Sequence, residues 1–157
     1  MAHTEVIVEP GRQDIVLRRV FDAPRDVVFK AFVDPSLTPQ WWGPRQYETI
    51  VDHADVRQGG SWRFLNRDAD GEYAFHGVFH DITAPERVVQ TFEFEGMPGH
   101  VALETAVFEE RPDGTTLYIG TSVFQSVEDR DGMAASGMED GLQDSHARFD
   151  ELLAKLR

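Results

Sequence analysis

Apolar and polar residues alternate from Asp14 onward, with Ile15, Leu17, Arg19 and Phe21 on one face and Val16, Arg18 and Val20 on the other, which predicts a first strand. The period then changes. In "PRDVVFKAFV" Val28 stacks over Phe32 and Val27 over Ala31 at i, i+4, the pattern of a short amphipathic helix opened by Pro24 and ended before Asp34 and Pro35. A second helical turn is expected between Thr38 and Trp42, closed by Pro44. From Gln46 the pattern returns to short extended segments, predicted at about 47 to 57, 60 to 66, 72 to 82, 87 to 95, 101 to 110 and 115 to 124. Turn signals separate them: Gly59-Gly60, Asp70-Gly71, Ala84-Pro85, Met97-Pro98-Gly99 and Pro112-Asp113-Gly114. A final long helix, capped by Asp129 or Asp131, carries Met138, Leu142, Ser145, Phe149, Leu152, Leu153 and Leu156 on one stripe.

These elements predict an α+β domain over residues 14 to 157, preceded by a polar lead-in over 1 to 13. Six or seven antiparallel strands form a curved sheet with one face to cover, and the C-terminal helix is the one long element able to cover it. A length of 157 residues fits one core, and an apolar fraction of 41% with eleven Phe and three Trp supplies bulky material for it. The formal charge of −13 repels phosphate backbones and anionic headgroups, which argues against nucleic acid and membrane surfaces as partners. Without cysteine there is no disulfide, no zinc-thiolate site and no thiol nucleophile. No basic-then-apolar leader opens the chain and no apolar run reaches the roughly eighteen residues of a spanning helix, so a cytoplasmic location is expected.

Several phrases carry a family resemblance: "RVFDAPRDVVFKAFVDP", "WWGP", "DVRQGGSWRF", "DGEYAFHGVFHDITAPERVVQTF", "GTTLYI" and "GMEDGLQDSHARFDELLAKL". In this order and spacing, from about Asp14 onward, the chain resembles the SRPBCC superfamily of START-like and Bet v 1-like proteins. Within it, the resemblance is to the group of the Hsp90 ATPase activator's C-terminal domain. It implies the helix-grip fold, with the sheet wrapped around the last helix and two short helices after the first strand. Many relatives carry Trp where this chain has Leu142, which leaves that side of the helix less aromatic. The superfamily holds carriers, cyclases, hydrolases and co-chaperones, so membership implies a fold more than a function.

Alternation selects a concave face of Trp62 and Phe64, Phe75 and Phe79, Phe92 and Phe94, Leu103 and Val107, then Leu117, Ile119 and Val123. Met138 and Leu142 face them from the final helix, where Ala134, Gly137, Gly141 and Ser145 form a stripe of small residues. These side chains either fill a core or line a cavity for an apolar or aromatic small molecule. Trp41 and Trp42 sit in "DPSLTPQWWGP", near one end of that space, with one indole expected in the core and its neighbour at the mouth.

Catalytic chemistry has weaker candidates in His76, Asp52 and Glu104, because acid–base work needs an ionisable group in an enclosed apolar space. No nucleophile elbow, P-loop, dinucleotide fingerprint or H-E-x-x-H occurs. His76 and His80 are four apart on a strand, a separation of about 13 Å that no single ion bridges. "NRDADG" opens like a calcium loop but has Gly77 at the position of the bidentate Glu. No metal and no cofactor are therefore expected. The leading expectation is binding of a small hydrophobic ligand between sheet and helix. A cyclase-like or dehydratase-like enzyme using the same space and an Hsp90-activator-like chaperone interaction are the alternatives. Edge strands allow a homodimer.

Overall fold

The computed structural model describes residues 3–157. Eight antiparallel strands form one sheet: β1 (Glu5–Ile7), β2 (Asp14–Phe21), β3 (Glu48–Ala54), β4 (Ser61–Asp68), β5 (Gly71–Thr83), β6 (Arg87–Phe94), β7 (Val101–Glu110) and β8 (Thr116–Val123). Their order across the sheet is β1-β2-β8-β7-β6-β5-β4-β3. Helix α1 (Arg25–Val33) and a 3-10 turn (Thr38–Gln40) lie between β2 and β3, and α2 (Val127–Ala134) and α3 (Met138–Leu156) follow β8. The long helix lies in the concavity of the sheet, the helix-grip arrangement.

Two features depart from the sequence pattern. The lead-in contributes a strand, because Glu5–Ile7 pairs with Arg18, Leu17 and Val16 at the edge of the sheet and makes eight strands instead of six or seven. Three residues are too few to display a period. The last helix is broken at Ala135–Gly137, where Gly137 takes φ +83°, a left-handed conformation that suits glycine. Ser126, not Asp129 or Asp131, caps α2 by accepting from the Asp129 amide.

Helix α3 buries Phe149, Leu152 and Leu153, while Leu156 stays largely exposed. Phe149 meets Phe21 at 4.9 Å between ring centroids, joining helix to β2, and fully burying a side chain of this size contributes about 1.5 to 3 kcal/mol. Helix α2 is held by a buried cation. Arg130, 1% exposed, donates to the carbonyls of Asp14 and Glu9 and pairs with Asp131. Thr4 is fully buried, its N–H donating to Gln143 at 3.1 Å and its carbonyl accepting from the same amide at 2.7 Å. The segment before β2 is thus stitched to both C-terminal helices.

Candidate functional site

Between the concave face and α3 lies a cavity of about 570 Å³. Alternate residues of each strand point into it: Trp62 and Phe64 from β4, Phe75 and Phe79 from β5, Val88, Gln90 and Phe92 from β6, Ala102, Glu104 and Ala106 from β7, and Tyr118, Gly120 and Ser122 from β8. Met138, Gly141, Leu142, Ser145 and His146 of α3 face them. Gly141 keeps the helix side open, since a Cβ there would meet just Pro44, at 3.5 Å.

One end of the cavity is aromatic. Trp42 is half-buried and meets Phe64 at 5.2 Å, Phe75 at 5.3 Å and Trp62 at 6.4 Å, each edge-on, and Phe75 stacks on Phe92 at 5.5 Å. Trp41 is buried in the opposite direction, against Phe149 at 4.7 Å and Phe32 at 5.4 Å. The tryptophan loop is fixed by side chains that satisfy its carbonyls: Ser145 donates to Trp41, Thr49 to Trp42, and Arg148 to Gly43 and Pro39. Arg45 adds ion pairs with Asp144 and Glu151. The loop is therefore anchored to both α3 and β3.

The other end is polar. Glu104 sits deep in the protein opposite Gln90, and its remaining accessible area faces the cavity. Its one side-chain partner is Ser122, which donates at 3.2 Å. Burial pushes the Glu104 carboxyl up to about 7, and the Ser122 hydrogen bond opposes the shift. Tyr118 is pushed up by burial first and by the Glu104 charge second. Its ring lies across Gly120, where any Cβ would fall 2.3 Å from the phenol oxygen.

His146 completes this end, edge-on to Tyr118 and Phe21 at 5.6 Å each. Arg19 donates to the Thr4 hydroxyl, which is also hydrogen-bonded to His146 Nδ1 at 2.6 Å. Burial and then the Arg19 charge lower the His146 pKa to about 3, which keeps the ring neutral. Arg19 is itself paired with Asp150.

Of the residues expected at the site, Trp41, Trp42, Trp62, Phe64, Phe75, Phe79, Phe92, Met138 and Leu142 line the cavity, and so does Glu104. Phe94 instead lines a separate recess of about 160 Å³ with Tyr47 and Tyr73. Leu103, Leu117 and Ile119 project from the outer face together with Val107 and Val123, and Leu103 is 44% exposed. On β7 and β8 the aliphatic residues Leu103, Val107, Leu117 and Ile119 point outward, while Ala102, Glu104, Ala106, Tyr118, Gly120 and Ser122 point in. A rule that sends the branched aliphatic residues inward therefore selects the wrong face. Pairing of Phe21 with Thr116 and of Leu17 with Gly120 fixes the true one.

His76 and Asp52 are also on the outer face. There Glu95 receives Arg63 at 2.8 Å and His76 at 2.9 Å, and Asp52 lies 3.6 Å from Arg63 in a β-bulge. Arg63 first and His76 second hold Glu95 well below the usual carboxylate range. His53 bridges Asp52 and Ser61 at 3.2 and 3.0 Å, but all three are exposed and face away from the cavity. Among the described residues, no three His, Cys, Asp or Glu side chains are grouped so that they could hold a metal ion. Sequence reasoning missed Gln90, Tyr118, Ser122 and His146. Of these, His146 left a signal, since it falls between Leu142 and Phe149 on the apolar stripe of α3.

Residues 22–154 match the family model described as Activator of Hsp90 ATPase homolog 1-like protein. Among solved structures, one similar chain is a protein from Arthrobacter aurescens, 24% identical with a TM-score of 0.86 over 96% of this chain and 91% of that one. Another is Ms6760 from Mycobacterium smegmatis, 22% identical with a TM-score of 0.86 over 98% and 97%. A protein from Rhodobacter sphaeroides is 22% identical with a TM-score of 0.85 over 96% and 99%. At these identities the likeness is one of fold. No curated protein matches in sequence.

Proposed function

The chain belongs to the activator of Hsp90 ATPase homolog 1-like family, and from that premise we propose that it binds a small, largely apolar ligand between sheet and α3. The observation that carries this reading is the cavity itself. About 570 Å³ is the size of a small-molecule site, and its lining is aromatic at one end with a few convergent polar groups at the other. A wall of Trp42, Phe64, Phe75 and Phe92 offers flat apolar surface to a ring or short chain. Glu104, Gln90, Ser122 and Tyr118 orient whatever polar group that ligand carries.

Titration with the apolar fluorophore N-phenyl-1-naphthylamine tests the reading. Saturable binding of one equivalent with a rise in melting temperature is expected, because a ligand held by the folded state alone stabilises it. Gly141→Trp, which places a ring in the cavity from the helix side, should abolish that binding and leave the circular dichroism spectrum unchanged. Probe binding that ignores Gly141→Trp would place the ligand elsewhere.

A further inference from the structure

Glu104 is the one carboxylate among the described side chains that line the cavity, whose other ionisable groups are Tyr47, Tyr118 and His146. From β8 come Tyr118, a neutral phenol, and Ser122, its hydrogen-bond donor; from β6 comes Gln90, an amide. From α3 comes His146, neutral and already committed to Thr4. Arg19 is taken up by Thr4 and Asp150. Among the described residues no cation pairs with this carboxyl. An ionised carboxylate accepts up to about four hydrogen bonds and here receives one from a side chain.

We infer that the ligand of this cavity is an amphipathic amine whose ammonium group pairs with Glu104 while its aromatic or alkyl body lies against Phe92, Phe75 and Trp42. The inference rests on the cavity being a ligand site. A buried carboxylate without a counter-charge is costly; the carboxyl sheds that cost by taking up a proton, and when ionised it is relieved by a positive charge, whereas a hydroxyl supplies one hydrogen bond and leaves the charge in place. A carbonyl ligand would instead require the protonated acid. Two further features favour a cation. Phe92 and Tyr118, cavity-lining residues on the two strands that flank β7, offer aromatic faces attractive to an ammonium group and its adjacent methylenes. The net charge of −13 also raises the local concentration of cations around the whole molecule.

Three probes with the same number of non-hydrogen atoms decide the question by calorimetry on the full chain: 4-phenylbutylamine, 4-phenylbutan-1-ol and 4-phenylbutan-2-one. At pH 8 the amine should bind at least about tenfold more tightly than either neutral probe. Between pH 8 and pH 5.5 its advantage should shrink by roughly thirtyfold, because the carboxyl must then give up a proton before it can pair. Glu104→Gln should erase the preference, and a circular dichroism spectrum unchanged from the wild type reports that the variant is folded. An alcohol or ketone that matches the amine at pH 8, or an amine preference that survives Glu104→Gln, overturns the amine and leaves the cavity reading intact. Absence of binding by all three removes both.

Discussion

The Trp41 ring meets Phe149 edge-on at 4.7 Å, and Trp42, the next residue, turns the other way to meet Phe64 and Phe75. Two adjacent indoles thus pack in opposite directions: Trp41 sits in the core against Phe32 and Phe149 with one edge on the cavity, and Trp42 forms part of the aromatic cavity wall. The loop can hold them apart because three side chains satisfy its carbonyls from α3 and β3.

The two tryptophans should respond differently to truncation. Trp41→Ala empties a packed site and is expected to cost about 3 to 5 kcal/mol, measured by urea denaturation. Trp42→Ala, at a half-buried position, should cost less than about 2 kcal/mol and weaken probe binding instead. In a Trp41→Phe variant the remaining fluorescence should still respond to a bound probe. In Trp42→Phe that response should fall sharply.

Glu104 should make the fold more stable in mild acid. Its carboxyl stands at about 7 in the folded protein, raised from 4.5 chiefly by burial. Between those values the folded chain holds a proton that the unfolded chain lacks, so stability falls as pH rises through this window and the loss is complete above about 7. The full effect is on the order of 3 kcal/mol. Glu104→Gln should therefore gain stability relative to the wild type at pH 8 and little at pH 4.5.

His146 acts in the opposite sense. Held neutral by burial and lowered from 6.5 to about 3, it leaves the unfolded chain binding a proton that the folded chain does not. Stability from this group is complete above pH 6.5 and is lost as pH falls toward 3, by up to about 4 to 5 kcal/mol. His146→Gln should flatten the acid limb of the stability curve below pH 6.5. The two slopes oppose each other between pH 4.5 and 6.5, so each variant must be compared with the wild type at every pH.

Thr4 ties the β1 segment to α3. Thr4→Val should cost about 1 to 3 kcal/mol by leaving both His146 Nδ1 and an Arg19 N–H without their partner. Hydrogen exchange should then rise first in β1.

Gly77 and Gly120 give a contrasting pair. A Cβ at Gly77 would fall 1.9 Å from the Thr91 carbonyl oxygen, a backbone atom that cannot yield without moving β6. Gly77→Ala should cost more than about 4 kcal/mol. A Cβ at Gly120 meets the mobile end of Tyr118, so Gly120→Ala should fold, turn the tyrosine and change probe affinity.

Periodicity alone carried much of this fold. The alternation of Ile15, Leu17, Arg19 and Phe21, the i, i+4 stacking in α1 and the glycine-proline punctuation between strands are local signals, and each is a property of a few consecutive residues. The aromatic wall on β4, β5 and β6 was legible for the same reason, since Trp62, Phe64, Phe75, Phe79 and Phe92 are large residues on alternating positions. What the sequence by itself could not determine is which face of β7 and β8 turns inward. Both faces carry apolar residues there, and a strand's facing is fixed by its register with β2 and β6, not by its own composition. That register brings Glu104 and Ser122 into the cavity and sends Leu103 and Ile119 out of it. The tertiary structure also decided the fate of the two tryptophans and the meeting of Thr4, Arg19 and His146, residues up to 142 positions apart. A polar site assembled from β6, β7, β8 and α3 has no local signature, because its chemistry arises from burial and proximity that exist only once the sheet has closed around the helix.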